Sequence, residues 1–93
     1  MDSTTLGTTY LLHFEEPICH ARHYLGWTNN FLKRMNEHRH GCRERCVLTW
    51  ELKQRGILWT VARTWTHVTI LHEKELKKMK NTPRYCPICL GEI

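Results

Sequence analysis

Two short β-prone segments near the start of the chain, separated by a proline, restrict the fold more than any other feature. Residues 8–14 are rich in Thr, Tyr and Leu, which favours a first strand. Glu15-Glu16-Pro17 predicts the end of this strand, because proline cannot donate to a strand ladder. Residues 22–26 favour a second strand. We therefore expect an antiparallel hairpin at the start of the chain.

A helix is predicted directly after the hairpin. Thr28, Asn29 or Asn30 can cap it, because each side chain can accept from the free N–H groups of the first turn. The helix is expected to run to about Arg39, with Gly41 as its stop. Its apolar stripe is predicted to consist of Phe31, Leu32 and Met35.

The second half of the chain predicts two more helices and one more strand. Residues 43–55 favour a helix that ends at Gly56, with inward positions Val47, Leu48, Trp50 and Leu52. The side chains of residues 57–65 alternate in the pattern of a third strand. One side of this strand is predicted to carry Ile57, Trp59, Val61 and Arg63. Residues 68–79 favour a third helix, and Pro83 and Pro87 mark a turn-rich tail over 82–93. The predicted order is β-β-α-α-β-α, an α+β fold in which helices flank a small three-stranded antiparallel sheet.

Size and charge restrict the function. The chain has 93 residues, which make a single small domain over 1–93, and 41% are hydrophobic, too many for a disordered protein. The formal charge of +5 and the pI near 9.1 favour an anionic partner. Nucleic acid is the commonest such partner, but membrane surfaces and acidic proteins also fit.

The location expected from the sequence is intracellular, in the cytoplasm. No apolar run approaches the ~20 residues that span a bilayer, and residues 1–5 lack the basic start and apolar block of a secretory signal. Cysteines are normally reduced in that compartment, and five is an odd number for a disulfide framework.

Three chemically distinct side chains are predicted to converge at the end of the second strand. Tyr24 ends that strand, and Arg34 and His38 lie four apart on one face of the first helix. A phenol, a permanently charged guanidinium and an imidazole that titrates near neutrality suit attack on a phosphodiester. Packing alone would not require all three.

These residues stand in an order that resembles the GIY-YIG endonuclease family over most of the chain. Tyr24-Leu25-Gly26 is similar to the second signature, and Tyr10 to the tyrosine of the first. Arg34 and His38 match the family's helix arginine and the histidine that some members carry one turn later. Glu73 resembles the single metal-binding glutamate of the third helix.

A compact subgroup of bacterial and phage proteins resembles the chain more closely, at residues 10–14, 20–24 and 83–89. The chain departs from the family pattern in its first motif, where the nearest glycine, Gly7, lies three positions before Tyr10 instead of two. Asn81 is the candidate for the family's late asparagine.

The resemblance implies a metal-dependent endonuclease that hydrolyses phosphodiesters, most of all in DNA. Glu73 can hold Mg²⁺ or Mn²⁺, and Arg34 can bind the non-bridging oxygens through two N–H groups. Tyr10 or Tyr24 can orient or deprotonate water, and His38 can assist that proton transfer. No membrane partner and no small-molecule substrate are expected, and the oligomeric state stays open. The alternatives are an inactive nucleic-acid-binding module of the same fold and a zinc-stabilised interaction domain.

Simpler interpretations exist for the same side chains. Arg34 can be a solvated helix residue paired with Glu37 or Glu75, and Glu73 can form an ordinary i,i+4 pair with Lys77. Glu75 is the rival metal ligand on the same helix. The cationic residues near the end of that helix either form a solvated face or bind DNA phosphates: Lys74, Lys77, Lys78, Lys80 and Arg84.

Two residue pairs suggest a structural zinc site. His20-x-x-His23 and Cys86-x-x-Cys89 each supply two ligands, and together they complete the four that structural zinc requires. Such a site would tie the tail to the loop between the first two strands. The alternative is that both pairs simply pack.

Overall fold

The described part of the chain forms three strands and four helices. The computed structural model describes residues 4–18, 21–41, 44, 46–79 and 82–91. In chain order the elements are β1 (Gly7–Ile18), β2 (Ala21–Thr28), α1 (Phe31–His40), α2 (Val47–Arg55), β3 (Trp59–Val68), α3 (Ile70–Met79) and α4 (Thr82–Tyr85). The predicted order β-β-α-α-β-α is confirmed, and the single turn of α4 is added in the tail, where only turns were expected.

β1 is the central strand of one antiparallel sheet with the order β2-β1-β3. Its register places Tyr10 opposite Gly26 of β2 and opposite Thr64 of β3. Six consecutive residues of β1, Thr9 to Phe14, are buried. A strand with this burial must be covered on both of its faces, because successive side chains point to opposite sides.

Two apolar clusters cover these faces. On one face Tyr10, Leu12 and Phe14 pack with Met35 of α1 and Leu52 of α2. On the other face the cluster is formed by Leu11, Leu25 and Cys86, with Leu76 of α3 and Tyr85 of α4 packed against it. We call these the helical-pair face and the tail face.

The prediction that β1 ends at Glu15-Glu16-Pro17 is wrong, since the strand continues to Ile18. The register between β1 and β2 shifts between His13 and Ile18. Pro17 therefore lies in an irregular stretch, where its missing N–H removes no bond from a regular ladder.

The strict alternation predicted for β3 is also wrong. Val61 faces Leu12 and Arg63 faces Leu11, so one extra residue, Ala62, lies between them as a bulge. Because Leu12 and Leu11 point to opposite faces of β1, the bulge moves Arg63 away from the side that carries Trp59 and Val61. The strand also begins at Trp59, two residues later than predicted, and ends at Val68.

The first helix is capped as predicted. The Asn30 side chain accepts from the Lys33 N–H at the start of α1, and Gly41 ends the helix in the left-handed conformation. The apolar stripe is corrected at Leu32, which is 78% exposed, while Met35 and His38 are the buried positions. A helix surrounded by core on one side only buries about every third or fourth residue.

The second and third helices are shorter than predicted. α2 begins at Val47, which is exposed, and its buried positions are Thr49 and Leu52. α3 begins at Ile70 because β3 extends through Val68. Among the described residues, no helix has the length and apolar character that crossing a membrane requires.

Candidate active site

A hydrogen-bonded group of side chains lies on the helical-pair face, where β1 meets α1. The Tyr10 hydroxyl lies 2.7 Å from Nε2 of His38. The same hydroxyl accepts from Nε of Arg34 at 3.2 Å. Tyr10 and His38 are almost completely buried, whereas about a fifth of the Arg34 side chain is exposed. The guanidinium therefore connects a buried pair to the surface.

Thr49 of α2 determines how the protons in this group are arranged. Its hydroxyl donates to the Cys46 carbonyl at 3.3 Å, so its oxygen accepts from Nδ1–H of His38 at 3.1 Å. With its proton on Nδ1, the imidazole accepts at Nε2, and Tyr10 must be the donor there. A single directed chain therefore runs from Arg34 through Tyr10, His38 and Thr49 to a backbone carbonyl.

Burial keeps both central groups neutral. It raises the pKa of Tyr10 well above its usual value, although the Arg34 hydrogen bond acts in the opposite direction. Burial and, less strongly, the Arg34 charge lower the pKa of His38 from 6.5 to about 4, although the Glu37 charge acts in the opposite direction. At neutral pH the group therefore contains a phenol and an uncharged imidazole beside one cation.

Tyr24 of β2 completes the group on its more open side. Its ring lies 6.1 Å from that of Tyr10 and 5.5 Å from that of His38, centre to centre. Tyr24 is half-buried, and burial raises its pKa, while Arg34 and Lys77 act to lower it. Of the two tyrosines, Tyr24 is the one with access to solvent.

The packing of Tyr10 explains why the last residue of Tyr24-Leu25-Gly26 is glycine. Gly26 faces Tyr10 across the β1–β2 ladder. A Cβ atom on Gly26 would lie 2.5 Å from Cζ of Tyr10, closer than real Cβ atoms approach. The phenol reaches His38 and Arg34 only because residue 26 has no side chain.

Glu73 lies on α3, whose first residue, Ile70, lines a groove beside this group. The groove, of about 550 Å³, is formed by eight residues: Trp27, Thr28, Asn29, Asn30, Lys33, Arg34, Glu37 and Ile70. Glu73 is one turn after Ile70 and therefore shares its helix face. The Glu73 side chain is 12% exposed and pairs with Lys77. Nζ of Lys77 lies 6.0 Å from the centre of the Tyr24 ring. Lys77 thus links the carboxylate to the tyrosine group.

Four of the five side chains expected in the site lie together, because Tyr10 is hydrogen-bonded to Arg34 and His38 and its ring neighbours that of Tyr24. The fifth, Glu73, reaches them through Lys77. Glu75, the rival ligand, is exposed. Trp27 donates from Nε1 to the Val68 carbonyl at 3.0 Å, which holds it at the groove. Lys80 and Asn81 lie outside the described residues.

Sequence reasoning missed two residues. Thr49 orients His38, but an isolated threonine in a helix carries no signal of that role. His13 joins His23, Cys86 and Cys89 in one cluster on the tail face. His13 could have been found from the hairpin, because it faces His23 across the ladder. His20, which was expected to be a ligand, lies outside the described residues.

The stability of the protein should fall at mildly acidic pH because of His38. The imidazole has a pKa of about 4 when folded and 6.5 when unfolded, so the unfolded chain binds the proton first as the pH falls. The contribution of His38 is therefore complete above pH 6.5 and is lost as the pH falls toward 4. Between pH 7 and pH 5 we expect a loss of about 2 kcal/mol.

Urea unfolding of the wild type and of His38→Gln at both pH values measures this contribution. The stability difference between the two proteins should shrink by that amount at pH 5, and losses from other groups cancel in the comparison. A difference that is the same at pH 7 and pH 5 would contradict a neutral buried imidazole.

Comparison with known families gives a match that covers most of the chain. The model of the GIY-YIG catalytic domain matches residues 7–85. No curated protein and no solved structure matches the chain significantly. The matched range contains the tyrosine group, the groove and Glu73. The chain therefore belongs to the GIY-YIG family, whose members are nucleases.

Proposed function

We propose that the protein is a metal-dependent endonuclease that hydrolyses phosphodiester bonds in DNA. The observation that carries this proposal is the contact of Arg34 with a buried tyrosine–histidine pair, at the edge of a groove that α3 borders. A fixed cation at an open groove suits an anionic substrate, and a neighbouring carboxylate suits a divalent metal.

Arg34 is proposed to bind the scissile phosphate. Its Nε is engaged by Tyr10, which fixes the plane of the guanidinium, and its Nη1 lies 3.8 Å from the Glu37 carboxylate, so the scissile phosphate is expected to compete with Glu37 for the guanidinium. A preorganised donor costs no reorganisation as charge develops on the phosphoryl oxygens. Tyr10 is therefore proposed to position Arg34, since its own hydroxyl is buried.

Tyr24 is proposed to orient the attacking water, because it is the tyrosine with access to solvent. Water gives one proton to bulk solvent as its oxygen bonds to phosphorus, and the leaving oxygen of the broken P–O bond takes one proton from bulk solvent. Burial is the main cause of the lowered pKa of His38, and the Arg34 charge adds to it; substrate phosphate beside Arg34 would offset that second contribution. We propose that His38, which accepts a hydrogen bond from the Tyr10 hydroxyl, assists this proton transfer through Tyr10.

Glu73 is the residue proposed to hold Mg²⁺ or Mn²⁺. The Glu73 side chain suits Mg²⁺ because its nearly buried carboxylate is a hard oxygen donor. Mg²⁺ in proteins usually takes one or two carboxylates and keeps several water ligands. Bound metal would neutralise charge on the phosphoryl oxygens and activate water. Lys77 pairs with the same carboxylate and is expected to compete with the metal.

The binding surface proposed for DNA is the exposed cationic side of α3 and α4. The net charge of +5 favours a polyanion. The exposed cations of α3 and α4 are Lys74, Lys77, Lys78 and Arg84, and exposed Lys33 of α1 lines the groove. Contacts of this kind bind phosphates without regard to sequence, so they supply affinity and not specificity.

Nicking of supercoiled plasmid tests the proposal. We expect the wild-type protein to convert supercoiled DNA to the open circle with Mg²⁺ or Mn²⁺ and not with excess chelator. A gel-shift measurement with the same DNA in Ca²⁺ should show binding that weakens steeply with salt. Binding without nicking in any divalent metal would favour the inactive nucleic-acid-binding module instead.

A further inference from the structure

We propose that His13, His23, Cys86 and Cys89 bind one Zn²⁺ ion in a tetrahedral site on the tail face. The site would be structural, distinct from the proposed Mg²⁺ position at Glu73, and would join the β1–β2 hairpin to the segment that follows α4. The four candidate ligand atoms all lie within 4.8 Å of one another.

The spacing of these atoms matches the edges of a zinc tetrahedron. Zn–N bonds of about 2.05 Å and Zn–S bonds of about 2.3 Å place two nitrogens about 3.3 Å apart and a nitrogen about 3.5 Å from a sulfur. The two imidazole nitrogens, His13 Nδ1 and His23 Nε2, are 3.3 Å apart. Three of the four nitrogen–sulfur distances are 3.3, 3.4 and 3.6 Å. The remaining two edges, His23 Nε2 to Cys86 Sγ and Cys86 Sγ to Cys89 Sγ, are within 4.8 Å.

Hydrogen bonding alone does not explain the arrangement. Nδ1 of His13 faces three polar atoms at these distances, namely His23 Nε2, Cys86 Sγ and Cys89 Sγ. A ring nitrogen has either one proton or one lone pair, so it makes one good hydrogen bond in its plane. A single ion at the centre satisfies all four atoms at once.

The fold brings the ligands together from two directions. His13 and His23 are direct partners across the β1–β2 ladder, so their side chains share a face. Cys86 is fully buried against Leu11 and Leu25, and a turn closed by the Leu90 N–H and the Cys86 carbonyl carries Cys89 back to the histidines. Both cysteines are free thiols.

The ligand types select zinc. Two sulfurs and two imidazole nitrogens in a tetrahedral arrangement favour Zn²⁺, whereas Mg²⁺ and Ca²⁺ prefer oxygen ligands. Four protein ligands leave no position open for water, which is the pattern of structural sites rather than catalytic ones.

Such an ion would fix the hairpin that carries both tyrosines. His23 immediately precedes Tyr24, and His13 is three residues after Tyr10 on the same strand. A shift of one residue between β1 and β2 would turn one histidine away from the site, so bound zinc opposes that shift. The expected consequence is a more stable domain and an ordered tail.

Metal analysis of the protein purified without chelator is the first test. We expect close to one equivalent of Zn²⁺ per wild-type chain and less than half an equivalent in Cys89→Ala. Cys46→Ala is the matched control, because Cys46 is a free thiol outside the cluster, and it should retain wild-type zinc. Zinc below half an equivalent in the wild type, or equal zinc in Cys89→Ala, would overturn the proposal.

Cobalt and heat provide readouts that do not depend on cleavage. Co²⁺ added to the metal-free protein should give the visible absorption of a tetrahedral sulfur–nitrogen site, and Cys89→Ala should not. Metal removal should lower the Tm of the wild type by at least ~8 °C. It should change the Tm of Cys89→Ala very little, because that variant lacks one of the four ligands. Cys89 is exposed, so its replacement costs little stability apart from the loss of metal. A Cys86–Cys89 disulfide would contradict the site. It would be seen as two cysteines that do not react with an alkylating reagent when freshly purified protein is unfolded in chelator.

Zinc binding and nuclease activity can fail separately. Glu73→Gln should retain the full zinc content and the cobalt spectrum, since Glu73 is not among the four ligands. Absence of plasmid nicking with zinc present would count against the proposed function alone.

Discussion

Glu73→Gln should reduce metal-dependent DNA cleavage by about 10³-fold or more while the protein stays folded and continues to bind DNA. The amide keeps the size of the side chain but removes the negative charge that a hard cation requires. Metal stabilisation of a phosphoryl transition state is worth several kcal/mol, which corresponds to that loss of rate. Single-turnover nicking of supercoiled plasmid across a series of Mg²⁺ concentrations measures it.

Glu75→Gln is the matched control for this prediction. It lies on the same helix and changes the net charge equally, but Glu75 is exposed while Glu73 is nearly buried. We expect Glu75→Gln to retain nearly full activity. Loss of the Glu73–Lys77 pair should cost at most about 1 kcal/mol of stability, so circular dichroism and DNA affinity should change little. Equal losses of cleavage in both variants would show that charge near the groove matters and that metal binding by Glu73 does not.

The order of the elements could be predicted because its signals are local. The Asn30 cap, the Gly41 stop and the alternation within short strands each depend on a few neighbouring residues. The extension of β1 past Pro17 and the bulge at Ala62 could not be predicted, because both depend on how one strand pairs with another. The exposure of Leu32 likewise depends on which side of α1 faces the core, and that side carries Met35 and His38.

The residues proposed for catalysis were found because their types and order are unusual together. Tyr24, Arg34 and His38 are close in sequence, and a strand followed by a capped helix brings them together. Thr49 and His13 were missed because each acts through a residue on another element: Thr49 of α2 orients His38 of α1, and His13 of β1 faces His23 of β2. Partners of this kind become visible only when the register and helix packing are known.

Gly26→Ala should damage the site from a position that has no functional group. The new Cβ would lie 2.5 Å from Cζ of Tyr10, and the ring cannot yield freely, because its hydroxyl is held by His38 and Arg34. Displacement of the ring would break the chain that positions the guanidinium. We expect stability to fall by about 1–3 kcal/mol and cleavage to fall by roughly 10²-fold, the cost of a misplacement of about 1 Å. Urea unfolding and plasmid nicking measure the two effects.

Gly56→Ala separates damage to the site from the loss of stability. Gly56 has φ of 70° and nothing within 4 Å of a Cβ atom, so alanine there is strained by its backbone alone and should cost about 1–2 kcal/mol. Two variants with similar stability can then be compared for activity below their unfolding temperatures. If both cleave DNA equally, close contact between residue 26 and Tyr10 does not control the site. If only Gly26→Ala loses activity, the glycine of the second motif serves to admit the buried tyrosine of the first.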